Sequence, residues 1–253
     1  MAKKKRKRCN NLIIISDTHC GCKLGLCSPE PVPLDDGGTY TISKVQRKLW
    51  TWWEEFWGEW VPKVTKGEPY AVVTNGDTLD GVHHGSTTQI SHNLSDQASI
   101  AETILRPVVE LCEGRFFMIR GTEAHVGKSG AEENRLAKEL GAIPNAEGQH
   151  ARYELWIEVG NCLVHLLHHI GTTGSSAYES SAPQKELINA FAEAGQSGAA
   201  GWQLKTPFAY RIAGARQSQP QIGGSLIRQG DEDYFTRHFV KRLARPKAEI
   251  VTL

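Results

Sequence analysis

The chain has 253 residues, 40% hydrophobic and 23% charged, a balance that excludes a disordered tail, a collagen or a disulfide mini-protein and leaves room for one large domain or two small ones. Its formal net charge is +1, but six of the 29 Lys and Arg run from Lys3 to Arg8, leaving 23 basic against 28 acidic residues elsewhere. Such a body is not coated for duplex DNA, although the arm remains free to meet phosphate.

No apolar run approaches the roughly 18 residues of a membrane span, and the basic start has no apolar signal-peptide core behind it. Six cysteines are too few for a disulfide scaffold. A soluble, intracellular protein of the cytoplasm is expected, with no membrane partner. Residues 1–10 are expected to be a disordered basic arm, 11–230 one domain, and 231–253 a C-terminal tail.

Residues 11–16 form a short apolar run that ends in polar residues, the pattern of a strand buried on both faces. Residues 70–74 and 116–119 repeat it, and a polar, Gly-bearing cluster follows each of the three. Residues 43–60 and 96–113 carry helical period between them, the second with Pro107 as a candidate kink. Strands alternating with helices predict an α/β architecture whose ligands gather at the carboxyl ends of the strands. Residues 151–158 and 161–168 read as two strands joined by Val159-Gly160. Residues 183–194 read as a helix opened by Ser181, and 207–212 and 225–228 as late strands. In the first helix Leu49, Trp53, Phe56 and Trp60 make a core stripe at spacings of four, three and four. Trp52 shares its face with Lys48, Glu55 and Glu59 and is expected to be partly exposed and open to a partner.

Asp17-Thr18-His19 sets a carboxylate and an imidazole two residues apart just beyond the first strand, so both can turn to one point, as metal ligands do. Asn75-Gly76-Asp77-Thr78-Leu79-Asp80-Gly81 brings further carboxylates to the end of the next strand, with glycines that let backbone approach closely. A carboxylate can bridge two cations, and mixed Asp and His ligation suits Mn, Fe, Zn or Co better than Ca. Either motif alone is common as a turn or cap; their succession at consecutive strand ends is what points to a metal site. Cys20, Cys22 and Cys27 lack the Cys-x2-Cys knuckle of structural zinc, so chance placement is expected. The run from Gly171 to Ser176 lacks the Gly-Lys-Ser/Thr of a P-loop.

These two motifs resemble the first two of the calcineurin-like metallophosphoesterases, Asp-x-His and Gly-Asp-x-x-Asp. The third family motif, Gly-Asn-His-Asp/Glu, falls where this chain has Arg120-Gly121-Thr122-Glu123-Ala124-His125. The fourth, a His ending a later strand, is matched by His168-His169-Ile170-Gly171. The fifth, Gly-His-x-His, has no counterpart, since His238 is the one histidine after His169. The likeness covers residues 11–171 and is interrupted afterwards, as if a late strand-loop-strand segment were missing around 194–205. The short format and the Gly-Thr-Glu-Ala-His variant look like copies carried in bacteriophage and prophage genomes.

The resemblance implies a calcineurin-like α/β/β/α sandwich of two mixed sheets flanked by helices. It also implies a metal-dependent phosphoesterase that hydrolyses phosphodiester or phosphomonoester bonds by attack of a metal-activated hydroxide. Asp17, His19 and Asp77 would hold one divalent ion, and Asp77 would bridge to a second held by Glu123 and His168, with His169 the alternative to His168. Up to two ions are implied, Mn favoured. His125 would protonate the leaving group. Asp80, His83 and His84 are candidates to face substrate; His83, His84 and His92, with Ser86, Thr87 and Thr88, either bind its phosphate or are solvated loop residues. His165 faces away from His168 along its strand and is expected to be structural. The expected partner is a phosphorylated substrate; Lys3 to Arg8 could reach nucleic acid, serve as a nuclear import signal or be a solubilising tail, and the oligomeric state is left open. The opposing reading is a catalytically impaired relic that binds nucleic acid or protein. The missing fifth motif favours it; intact aspartates at two strand ends, which do nothing for folding, weigh against it.

Overall fold

A computed structural model describes residues 9–83, 85–160, 162–169, 185, 188, 221–230 and 234–243. The chain divides into two compact units, Met1–His168 with Ile212–Leu253, and His169–Arg211. Every strand among the described residues belongs to the first. In chain order that unit runs β1 (Asn11–Ile15), β2 (Val32–Pro33), β3 (Thr39–Tyr40), α1 (Lys44–Glu55), α2 (Val61–Thr65), β4 (Ala71–Asn75) and α3 (Leu94–Leu111). It continues with β5 (Phe116–Ile119), α4 (Glu123–Val126), α5 (Ala131–Glu139), β6 (Ala151–Arg152), β7 (Glu154–Val159), β8 (Cys162–Leu167), β9 (Gln221–Gln229) and β10 (Tyr234–Arg242).

Six strands form a mixed sheet in the order β10-β9-β1-β4-β5-β6. β1, β4, β5 and β6 are parallel, while β9 runs antiparallel to both β1 and β10. The period of two sorts the apolar runs onto opposite faces. Ile13, Ile15, Val72, Phe116 and Met118 pack with Leu49, Trp53 and Phe56 of the first helical segment, Ile104, Leu105 and Val108 of α3, and Leu136 of α5. Leu12, Val73 and Ile119 face the other way, onto Leu155, Val159 and Leu166 of the β7–β8 hairpin. The fold class is therefore α/β, with helices against one face of a central sheet and a hairpin against the other. Among the described residues no helix is long and apolar enough to cross a membrane.

Local chemistry explains where the elements begin. Ser43 and Gln46 form a reciprocal capping box at the start of α1. The helix runs on through a π-helical turn, Phe56–Trp60, into α2, whose Pro62 stands in its first turn where no N–H is needed. Asn93 caps α3, and Pro107 lies inside it.

Four expectations need correction. Trp52 is buried, 8% exposed, with Lys48 Nζ over its ring at 5.4 Å; the long Lys48 side chain covers the indole that the polar face led one to think open. The strand expected over 151–158 breaks at Tyr153: Ala151 and Arg152 pair with β5, and Glu154 begins the hairpin. The strand expected over 225–228 extends over Gln221–Gln229. Tyr234–Arg242, expected within a C-terminal tail, is the edge strand β10. The arm at 1–8, the strand expected at 207–212 and the segment around 194–205 lie outside the described residues, as does the helix expected at 183–194 apart from helical Lys185 and Ile188.

Candidate metal centre

The loops that leave β1 and β4 are laced together by their backbones. Asp17 N–H donates to Gly76 O (3.0 Å), His19 N–H to Asp77 O (3.0 Å) and Cys20 N–H to Thr78 O (2.8 Å), while Asp80 N–H donates back to Cys20 O (3.0 Å). Asp17, His19 and Asp77 adopt φ of 55°, 43° and 47°, a region that side chains other than glycine occupy at a cost of about 1–3 kcal/mol each. The lacing holds them there. Close approach also needs glycine: a Cβ on Gly76 (φ 78°) would run into the His168 ring, and one on Gly121 into Asp77.

Asp77 is the hub. Its Oδ1 accepts from Thr122 N–H (2.7 Å) and Thr122 Oγ1 (3.3 Å). Its Oδ2 lies 3.1 Å from His168 Nε2 and 3.6 Å from His125 Nε2. His168 Nδ1 meets Asn75 O at 2.6 Å, and His125 Nδ1 meets Asp80 O at 2.6 Å. A carbonyl can only accept, so both Nδ1 atoms donate and both Nε2 atoms are left to face the centre. Asp17 accepts from Ser16 Oγ, and its Oδ1 is 3.8 Å from His19 Nε2. Below them Asp80, 4% exposed, lies 3.3 Å from His19 Nδ1 and 3.7 Å from His83 Nε2 and accepts from Gln89 Nε2 (2.9 Å).

Three groups of donors fall close enough together to hold a cation: Asp17, Asp77 and His168; His19, Asp77 and His125; and Asp80, His83 and His125. Carboxylate oxygens mixed with imidazole nitrogens fit borderline divalent metals. The first two groups share Asp77.

The electrostatics are those of acids and bases holding one another's charge. Burial raises Asp17 above the usual carboxylate range. Burial also opposes the charge of Asp77 and Asp80, yet His168 chiefly for the one and His19 chiefly for the other bring both below that range. Burial disfavours a charged His168 too, but Asp77 overrides it and lifts the imidazole to about 9. His19 is raised against its burial by Asp80, Asp77 and Asp17. His125 is the exception, lowered by burial in spite of Asp77. A cation arriving beside Asp77 would have to displace the His168 proton.

Two residues that brace the site were missed by sequence reasoning. Glu133, fully buried, accepts from Thr78 N–H and Gly121 N–H, both at 2.9 Å, and so ties the loop after β4 to the loop after β5. Burial lifts its carboxyl to about 7. The signal was present: Glu133 falls on the same helical face as Leu136, Ala137 and Leu140, all buried, and a lone acid on an apolar stripe needs a reason. Gln97 is a second brace, accepting from Gly81 N–H (2.7 Å) and donating to Gly81 O (3.1 Å).

Of the expected site residues, Asp17, His19, Asp77, Asp80, His83, His125 and His168 are brought together. Glu123 is not; it is exposed in the first turn of α4, and its neighbour Thr122 reaches Asp77 instead. His169 and His92 are exposed, and His84 lies outside the described residues. Asp80, expected to face substrate, is buried beneath the imidazoles. His165 stacks on Trp156 (centroids 3.9 Å) and bonds Glu154 (2.9 Å) on the hairpin. Cys20, Cys22 and Cys27 are buried and enter none of the three groups. The chain matches no protein-family model, and no curated protein is significantly similar to it.

Proposed function

We propose that the chain is a metal-dependent phosphoesterase of the calcineurin-like kind, acting on phosphodiester or phosphomonoester bonds. The observation that carries this reading is the convergence of two donor groups on one carboxylate, Asp77, at the ends of consecutive parallel strands, with Asp17, His19 and Asp77 all held in left-handed backbone. Asp17, His19, Asp77 and His168 would hold the ions, which when bound polarise phosphate oxygens and make water a nucleophile near neutral pH. The chain's own groups prepare the site. Thr122 occupies Asp77 Oδ1 and thereby presents Oδ2 to the centre. Asn75 O fixes the tautomer of His168, and Asp80 lies under His19 and His83. Glu133 keeps the second and third loops in register.

The test is hydrolysis of bis-p-nitrophenyl phosphate and p-nitrophenyl phosphate with Mn added, together with elemental analysis. Hydrolysis that requires the metal is expected, with both metal and activity lost in Asp77→Asn while circular dichroism shows the metal-free variant still folded. A chain that binds no metal, or binds it and cleaves neither ester, would sink the reading.

A further inference from the structure

We infer that His125 is a metal ligand of this centre, grouped with His19 and Asp77, and not the residue that protonates the leaving group. The inference rests on the phosphoesterase reading and assigns a role within its site. His125 and His168 stand in the same relation to Asp77. Each gives its Nδ1 proton to a backbone carbonyl of the segment around Asp77, Asp80 O in the loop and Asn75 O at the end of β4 respectively, both at 2.6 Å. Each turns Nε2 to the same oxygen, Asp77 Oδ2. An imidazole whose second nitrogen is pinned by a carbonyl is the arrangement that orients histidines on metals.

The His19 and His125 rings meet edge to face with centroids 4.6 Å apart, which brings two imidazoles and one carboxylate to a single point. Without His125, His19 and Asp77 would have to draw their third ligand from Asp17, whose Oδ1 is 3.8 Å from His19 Nε2 but which is grouped with Asp77 and His168. A leaving-group acid must aim its N–H at the entering substrate, whereas the free nitrogen of His125 faces a carboxylate that is 5% exposed. The alternative grouping of His125 with Asp80 and His83 is less favoured, because the nitrogen nearest Asp80 Oδ1, at 4.0 Å, is the one already donating to Asp80 O. The backbone here is fixed as well: a Cβ on Gly81 would collide with the His125 carbonyl.

Cobalt titration of the unmutated chain and of His125→Gln tests the assignment, with the metal-free unfolding temperature as the control for folding. Cobalt affinity is expected to fall by at least about tenfold in the variant, and hydrolysis of esters with good and poor leaving groups to fall together. In the cobalt-loaded unmutated chain the ring N–H signal of His125 is expected to carry the large through-bond contact shift of a cobalt-bound imidazole in NMR, beyond the through-space shift that any proton near the ion feels, which decides the matter even if the variant does not fold. Unchanged cobalt affinity, a His125 signal with the through-space shift alone and a loss confined to poor leaving groups would overturn the inference and leave His125 as the proton donor. An unmutated chain that takes up no cobalt would overturn the ion site and this assignment together.

Discussion

Left-handed backbone occurs at both ends of the parallel strands, for different reasons. At the amino ends, Lys66 (φ 56°) stops α2 before β4, and Glu113 (φ 51°) follows α3 before β5. Both side chains are exposed, and the conformation serves only to turn the chain. At the carboxyl ends, Asp17, His19 and Asp77 adopt it with side chains that are buried or half-buried and face charged neighbours. Glycine would do the first task better. It would destroy the second, so identical strain is incidental in one place and tied to the site in the other.

Substitutions can break or sharpen that contrast. The largest effect is expected at Gly76, where a methyl group strains the backbone and pushes on His168. Gly76→Ala should cost about 1–3 kcal/mol in urea unfolding and lower metal affinity about 10- to 100-fold; an unaltered affinity would show that the packing there is not needed. Glu133 comes next. Its folded-state carboxyl, at about 7, lies above its ordinary 4.5, so the folded chain holds this proton more tightly than the unfolded one. The stability it contributes is fully present below pH 4.5 and is lost as the pH rises towards 7. Urea unfolding in EDTA should therefore show the unmutated chain losing stability relative to Glu133→Gln across that window, and parallel profiles would mean that Glu133 does not titrate there. The smallest effect is a gain. Lys66→Gly should add about 0.5–1 kcal/mol by relieving the left-handed strain with metal affinity untouched, and a fall in affinity would erase the distinction between the two ends.

Much of this arrangement is legible in the residues themselves. Strands buried on both faces read as apolar runs cut off by polar clusters, which is why β1, β4 and β5 and the loops behind them stand out. β10 is hidden because Thr236, Arg237, His238 and Lys241 interrupt its apolar residues, as suits an edge strand. β6 is two residues long and carries no periodicity. Glu123 looked like a ligand because it directly follows Gly121-Thr122, yet a helix begins at that point and swings it to solvent while a backbone N–H takes its place at Asp77. Glu133 sits in a stretch so polar that its burial is masked by its neighbours.

The hairpin has a consequence for the order in which the molecule is assembled. Of the seven acid and imidazole side chains gathered at the centre, six come from residues 17–125, and the seventh, His168, arrives directly after β8. A chain emerging from the ribosome exposes Asp17 and Asp77, with His19 and then His125, before the His168 imidazole grouped with both acids has been made. The cluster is completed only when β7 and β8 have been synthesised and docked on Leu12, Val73 and Ile119. Completion of this site therefore waits for the hairpin but comes before β9 and β10 of the sheet have been made, and an ion captured there would report that the hairpin has arrived.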